Sequence, residues 1–284
     1  MTTNITPSQL HLVSQDITSA SNVLAPFAVT DLFIQEAAKD KHSFLHFWTT
    51  IPTVILGMKD TRTPFLTDGL GLLKTRNYQT IARNSGGLAV ISEPGVLNLS
   101  LVLPNSSDDP ITVTQGYQLM TDLIQATFSP FTKEIEAKEI SESYCPGEFD
   151  LSIHDKKFAG ISQRRIGNGL AVMIYLSING DQDARGRLVQ QFYHASLKED
   201  FGTNGYPSVD PDSMANLNDL LQQNWSVSEV QTMLTNAAET LFKATATPLS
   251  LSTHLGKPDV ATAYEKHLTK MKTRNQDILK NGAI

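Results

Sequence analysis

The chain has a single cysteine, Cys145, among its 284 residues. One thiol cannot close an internal disulfide or supply a cysteine-rich zinc site. No apolar run approaches the ~20 residues that a membrane-spanning helix needs. Residues 1–20 are polar and hold no apolar stretch of signal-peptide length. With one cysteine and no export signal, a reducing cytoplasm is the expected address, and no membrane contact is expected. Acidic residues outnumber basic ones, 29 to 23, and the net charge of −6 argues against a broad face for nucleic acid. The sequence also lacks a Gly-x-x-x-x-Gly-Lys-Ser/Thr loop and a Gly-x-Gly-x-x-Gly turn after a strand, two common nucleotide cradles. His42 and His46 are four apart, but no nearby carboxylate completes a metal set, so no metal is expected.

What is present suits one large domain, or one domain with a small appendage, with ample core. Residues 24–38 place Leu24, Phe27, Ala28, Leu32 and Phe33 on one helical face. Phe44 to Trp48 and Thr53 to Leu56 read as short strands split by Pro52, and residues 65–77 as a short helix. Thr80 to Ala82, Leu88 to Ile91 and Val96 to Leu103 read as strands. In the last of these Leu97, Leu99, Leu101 and Leu103 alternate with Asn98, Ser100 and Val102, giving one apolar face and one partly polar face. Thr112 to Phe128 reads as a helix. Phe149 to Ile153, Lys157 to Arg165 and Leu170 to Ile178 follow as strands joined by short turns, which implies an antiparallel meander. Beyond Pro207 the pattern turns helical, over Ser213 to Leu221, Val227 to Phe242 and Pro258 to Lys280. The expected fold is α+β, with mostly antiparallel or mixed sheets packed with helices. Residues 20–206 are expected to form the catalytic body and 207–284 a helical C-terminal extension.

Three stretches can carry chemistry. Cys145 lies in Ser-Tyr-Cys-Pro-Gly-Glu-Phe-Asp, where Pro146 biases it toward extended backbone and Gly147 adds a turn. Its thiol is either an inert buried group or a nucleophile. Arg83-Asn84-Ser85-Gly86-Gly87-Leu88-Ala89-Val90 sets paired glycines between strands, where backbone amides can approach a carboxylate or a developing oxyanion. A plain glycine hairpin with an exposed arginine would look the same. Lys157 opens a strand, aligned with Ala159 and Ile161, where it is either a solvated turn lysine or a partly desolvated ammonium near the thiol. Gly160 marks a bulge or a close approach. His154 and His194 are alternative partners for the cysteine, though neither stands in a protease-like context.

Together these stretches resemble the lipoate–protein ligase, biotin–protein ligase and octanoyltransferase superfamily. Arg83 through Val90 is similar to its Arg-rich Gly-Gly-x-Ala-Val motif, and Pro94-Gly95-Val96-Leu97-Asn98-Leu99-Ser100 to the segment after it. Phe149-Asp150-Leu151 through Lys157-Phe158-Ala159-Gly160 resembles the Asp-Leu…Lys-x-x-Gly stretch carrying the family's lysine. A cysteine before Pro-Gly-x-Phe-Asp-Leu is similar to that of cysteine-dependent octanoyltransferases, and ATP-using ligases do not need it. The resemblance implies Cys145 and Lys157 as catalytic residues, with Arg83, Ser85, Gly86, Gly87, Asp150 and Gly160 binding substrate, and no cofactor. Asn84-Ser85 before the glycines favours the amidotransferase branch. That branch implies octanoylated glycine cleavage H protein as donor and lipoyl domains of 2-oxoacid dehydrogenases as acceptors. Transfer from octanoyl-acyl carrier protein and ATP-dependent lipoate ligation are the alternatives. Arg83, Lys156, Arg164 and Arg165 are expected to meet the acidic partner domains, their charge reversal raising the donor KM.

Overall fold

The computed structural model describes residues 9–280. The chain first forms β1 (Leu10–Ile17), α1 (Ala25–Asp40), β2 (Ser43–Thr50), β3 (Thr53–Leu56), α2 (Leu66–Thr75), β4 (Gln79–Ala82), β5 (Val90–Ser92) and β6 (Val96–Pro104). Next come α3 (Val113–Phe128), β7 (Glu136–Ala137), β8 (Leu151–Ile153), β9 (Lys156–Ile166), β10 (Gly169–Ser177) and α4 (Gln182–Leu197). The C-terminal part adds α5 (Leu217–Leu221), α6 (Val227–Phe242), β11 (Ala246–Pro248), α7 (Leu251–Leu255), α8 (Pro258–Arg274) and α9 (Gln276–Lys280). No helix among the described residues is long and apolar enough to cross a membrane.

A mixed eight-stranded sheet in the order β11-β1-β2-β6-β10-β9-β8-β7 stands beside a three-stranded sheet in the order β4-β3-β5. The expected meander is present: β8, β9 and β10 pair antiparallel in sequence, and β10 pairs β6. Alternation along β6 sorts its side chains to two faces. Leu97, Leu99, Leu101 and Leu103 pack with Leu123, Ile124 and Phe128 of α3 and Val230 and Leu234 of α6. Val102 packs on the other face, against Val29, Phe33 and Ala37 of α1 and Val260 of α8. Thr112 caps α3 in a reciprocal box with Gln115, and Ser226 caps α6 with Glu229, so both helices start where their sequence sets a stop for the preceding loop.

Short elements β7, β11 and α7 were not expected from the sequence, and three larger differences stand beside them. The strand β1 was not anticipated, because only Leu10, Val13 and Ile17 are fully buried and that spacing is not an alternation of two. It holds its place by pairing parallel to β2 and β11. The helix α4 was also missed, since Gly186 and a buried Arg185 interrupt its apolar stripe. Gly186 lies so close to Pro211 that a Cβ would sit 2.9 Å from it, and Arg185 reaches Glu93 at 2.6 Å. The tail helix expected over 258–280 is two helices, broken at the buried Asn275.

Candidate active site

Two loops and one hairpin meet at Cys145. The first loop runs from β4 to β5 and carries Arg83 to Ala89. Gly87 has φ +98°, and a Cβ on it would stand 2.2 Å from Arg83 Nη2 and 2.8 Å from Cys145 Sγ. Gly57 crosses beneath, where a Cβ would meet the Gly87 carbonyl oxygen at 1.8 Å. Only glycine fits both places. Gly87→Ala is therefore expected to cut turnover at least about tenfold, since it must displace Arg83 or the thiol. Turnover measured beside the melting temperature checks this, and unchanged turnover would mean the loop moves freely.

The second loop presents the thiol. Proline at the next position predicted extended backbone, yet Cys145 has φ +52°. The reason lies in its two sets of bonds. Lys157 Nζ donates to the carbonyl oxygens of Tyr144 at 2.9 Å and Cys145 at 2.8 Å, drawing the main chain inward. The sulfur points the other way, accepting from the Leu88 N–H at 3.1 Å and from Arg83 Nη2 at 3.3 Å. Left-handed backbone at a non-glycine residue costs about 1–3 kcal/mol, a strain that the surrounding bonds hold in place.

The hairpin between β8 and β9 supplies Lys157, only 1 % exposed. Its ammonium also donates to Ser143 Oγ at 3.1 Å and pairs with Asp150 at 2.9 Å. Asp150 in turn accepts from the Gly147 N–H at 3.0 Å, closing the Pro146-Gly147 turn. Burial pushes the Asp150 carboxyl above its ordinary range, while the neighbouring ammonium and the Gly147 N–H draw it back. Lys157 thus grips the main chain of Cys145, whereas the sequence suggested a direct contact between ammonium and thiol. The amide reaching the thiol is that of Leu88, next to the expected Gly86-Gly87 pair.

The cleft around Cys145 has a volume of about 180 Å³, and Arg83, Gly86, Gly87, Asp150 and Gly160 line it with the thiol. A second, tighter pocket of about 50 Å³ adjoins it, with shared walls at Arg83, Gly160, Ser162 and Tyr175. Pro26, Phe27 and Thr30 of α1 cover this pocket. Its floor is two rows across the large sheet. Trp48, Asn98, Tyr175 and Gly160 stand in register, and so do Ser100, Met173 and Ser162, whose row continues to His46 outside the pocket lining. The next row, Phe44, Val102 and Ala171, is packed into the α1–α8 core and ends the open space. Thr30 ties the cover to the floor through Ser100 at 3.0 Å and His46 at 3.1 Å. Burial pushes His46 down to about 3, so the ring is neutral there. Ser85 lines this pocket from the glycine loop.

A cysteine held by an amide and an arginine, a buried lysine behind it, and a narrow apolar pocket beside it form a recognisable set. The lipoyl protein ligase A/B catalytic domain matches residues 22–239. The chain belongs to this family. It is an acyltransferase, 38% identical over 93% of each chain to a Macrococcus caseolyticus protein named octanoyl-GcvH:protein N-octanoyltransferase. It is also 41% identical to a Listeria monocytogenes protein named lipoyl-GcvH:protein N-lipoyltransferase, over 78% of this chain and 80% of that one. A solved structure of lipoate-protein ligase A bound with ATP shares the fold, with a TM-score of 0.68, 17% identity, and coverage of 92% and 94% of the two chains.

All eight candidate residues of this family member, Arg83, Ser85, Gly86, Gly87, Cys145, Asp150, Lys157 and Gly160, border the cleft, the adjoining pocket or the ion pair behind them. The histidines stand apart: His154 is at the surface on Glu134, and His194 stacks on Phe201. The residues of the expected basic docking set are each engaged within the chain. Arg83 is 8 % exposed and turned inward; Arg164 pairs with Asp31 and donates to the Asn84 carbonyl at 2.7 Å. Arg165 donates to the Ile111 carbonyl at 2.7 Å, and Lys156 to that of Asp212. Reversing these charges would break internal bonds, so a raised donor KM could not be read as lost docking. Sequence reasoning missed Tyr193, whose hydroxyl accepts from the Ala89 N–H at 3.2 Å and donates to Asp60 at 2.9 Å. Asp60 also accepts from Gly57, and burial pushes its carboxyl up to about 6. Tyr193 sits on the helix that the sequence did not announce, so no signal pointed to it.

Proposed function

We propose that the chain moves an octanoyl group from an octanoyl-lysine of glycine cleavage H protein to a lysine of lipoyl domains of 2-oxoacid dehydrogenases, through a thioester on Cys145. The observation that carries this reading is the thiol itself, set between an amide donor and an arginine at the mouth of an apolar pocket. In the first half, Sγ attacks the amide carbonyl; the S–C bond forms, the C–N bond breaks, and the thiol proton ends on the departing lysine amine. In the second half the acceptor amine attacks the thioester, and its proton returns to the thiol. An amide replaces an amide, so the exchange is close to isoenergetic and calls for no nucleotide.

Lys157 and Asp150 form the pair that carries protons at the amine. Asp150 faces the cleft and Lys157 stands behind it. The eight-carbon chain runs from the cleft into the pocket over β6 and β10, gaining about 0.8 kcal/mol for each methylene buried. Met173→Trp shortens that pocket. It should lower octanoyl transfer about 10- to 50-fold, the equivalent of two or three methylenes, while butyryl transfer persists. Equal losses for both chains would place the acyl group elsewhere.

The test is transfer to an isolated lipoyl domain with four donors, octanoylated H protein, lipoylated H protein, octanoyl-acyl carrier protein and free octanoate, each with and without ATP. Transfer from octanoylated H protein without ATP is the expected result. Transfer only from the acyl carrier protein, or only from free acid with ATP, would replace this reading by one of the two alternatives.

A further inference from the structure

Among the described residues the small sheet ends at β4, which pairs with β3 on one side. In a strand the N–H and C=O of one residue point to the same side, and those of the next residue to the opposite side. Arg83 N–H points to β3, donating to the Leu56 carbonyl at 2.9 Å. Ala82 therefore turns both its main-chain groups outward, at an edge where the described residues place no further strand. Buried backbone groups left without partners are costly. Both are met by one side chain from the far end of the sequence: Asn275 Oδ1 accepts from the Ala82 N–H at 2.6 Å, and Asn275 Nδ2 donates to the Ala82 carbonyl at 3.0 Å.

Asn275 is fully buried at the break between α8 and α9, and its Nδ2 also donates to the Met271 carbonyl at 2.9 Å. Its amide stands where the next strand would be. The carbonyl it holds belongs to the peptide that enters Arg83, whose guanidinium reaches Cys145 Sγ and the Leu88 carbonyl. Asn275 lies outside residues 22–239, the span matched by the family. We infer that Asn275 is a positioning residue for catalysis, through which the C-terminal helices fix Arg83 against the nucleophile. This rests on the reading of Cys145 as the nucleophile.

The amide needs both an acceptor and a donor, which separates two variants. Asn275→Ala leaves the Ala82 groups unmet. Asn275→Asp keeps the acceptor but sets a second oxygen against the Ala82 carbonyl, and so it should be the worse of the two. Ile278→Ala removes buried tail packing of α9 and keeps the amide. The experiment is the rate of iodoacetamide alkylation of Cys145 at neutral pH in the full-length protein, with kcat and donor KM alongside. Expected are an about tenfold lower alkylation rate and kcat in Asn275→Ala, an unchanged donor KM, and a larger loss in Asn275→Asp. Ile278→Ala should melt lower yet alkylate like wild type. Alkylation equal to wild type in both Asn275 variants, or an equal loss in Ile278→Ala, would overturn the inference. A wild-type thiol that does not react would instead overturn the nucleophile reading, so the two failures appear in different samples.

Discussion

Cys145→Ala is expected to lower octanoyl transfer by at least about 10⁴-fold while leaving the fold intact. On the proposed mechanism the loss should be large because the bond-making atom itself is removed. The fold survives because the side chain is only partly buried, and the loop around it is held by main-chain bonds to Lys157 and by Asp150. Serine should be no better, since its hydroxyl needs a base and the Lys157 ammonium is already shared among Ser143, Asp150 and two carbonyls. A third variant exposes the strain. Glycine adopts φ +52° freely, so Cys145→Gly should melt about 2–4 °C above Cys145→Ala, for about 1 kcal/mol of relief. Steady-state transfer and calorimetry of the two variants check this. Equal melting temperatures would mean the left-handed turn is unstrained, and residual transfer in alanine would remove the cysteine from the chemistry.

Lys157→Met has the second large effect, on stability and activity together. It leaves Asp150 as a buried carboxylate without its cation, and it leaves the Tyr144 and Cys145 carbonyls without their shared donor. Removing one member of a buried pair costs about 3–5 kcal/mol, which for a chain of this size lowers the melting temperature by roughly 10 °C. Transfer should fall by at least about 10³-fold, since proton carriage and the placement of the thiol are lost together. The pH dependence has a definite sign. Without the ammonium, burial raises the Asp150 carboxyl further above its unfolded value. The folded state then binds more protons than the unfolded one, and stability increases as pH falls. The melting deficit of Lys157→Met should therefore narrow at mildly acidic pH. Adding Asp150→Asn should recover part of the stability and none of the activity. A deficit that widens in acid, or activity restored with stability, would contradict this account of the pair.

The sequence was most legible where chemistry leaves a residue-type signature. Paired glycines, a lysine opening a strand and a lone cysteine before proline mark the loops that the structure brings together, and the β8–β10 meander follows from short turns. The alternating leucines of β6 foretold its two faces, one packed on α3 and the other partly polar. What could not be read is contact across distance. Nothing local says that Lys157 bonds carbonyls and not sulfur, or that Leu88 supplies the amide. The left-handed turn at Cys145 runs against the preference that Pro146 imposes, and only its tertiary bonds account for it. Arg164 looks like a surface charge, yet Asp31 lies 133 positions earlier in the chain and claims it. Asn275 reads as an unremarkable polar residue in a helix, and its partner at Ala82 is 193 positions away.

The most direct measurement is intact-mass spectrometry of the protein mixed with octanoylated H protein in the absence of ATP, with Cys145→Ser alongside. The account predicts one added octanoyl group on the wild type, released by hydroxylamine, mapped to the peptide containing Cys145, and absent from the variant. An adduct that survives in Cys145→Ser, or no adduct while transfer to a lipoyl domain proceeds, would contradict a thioester at this cysteine.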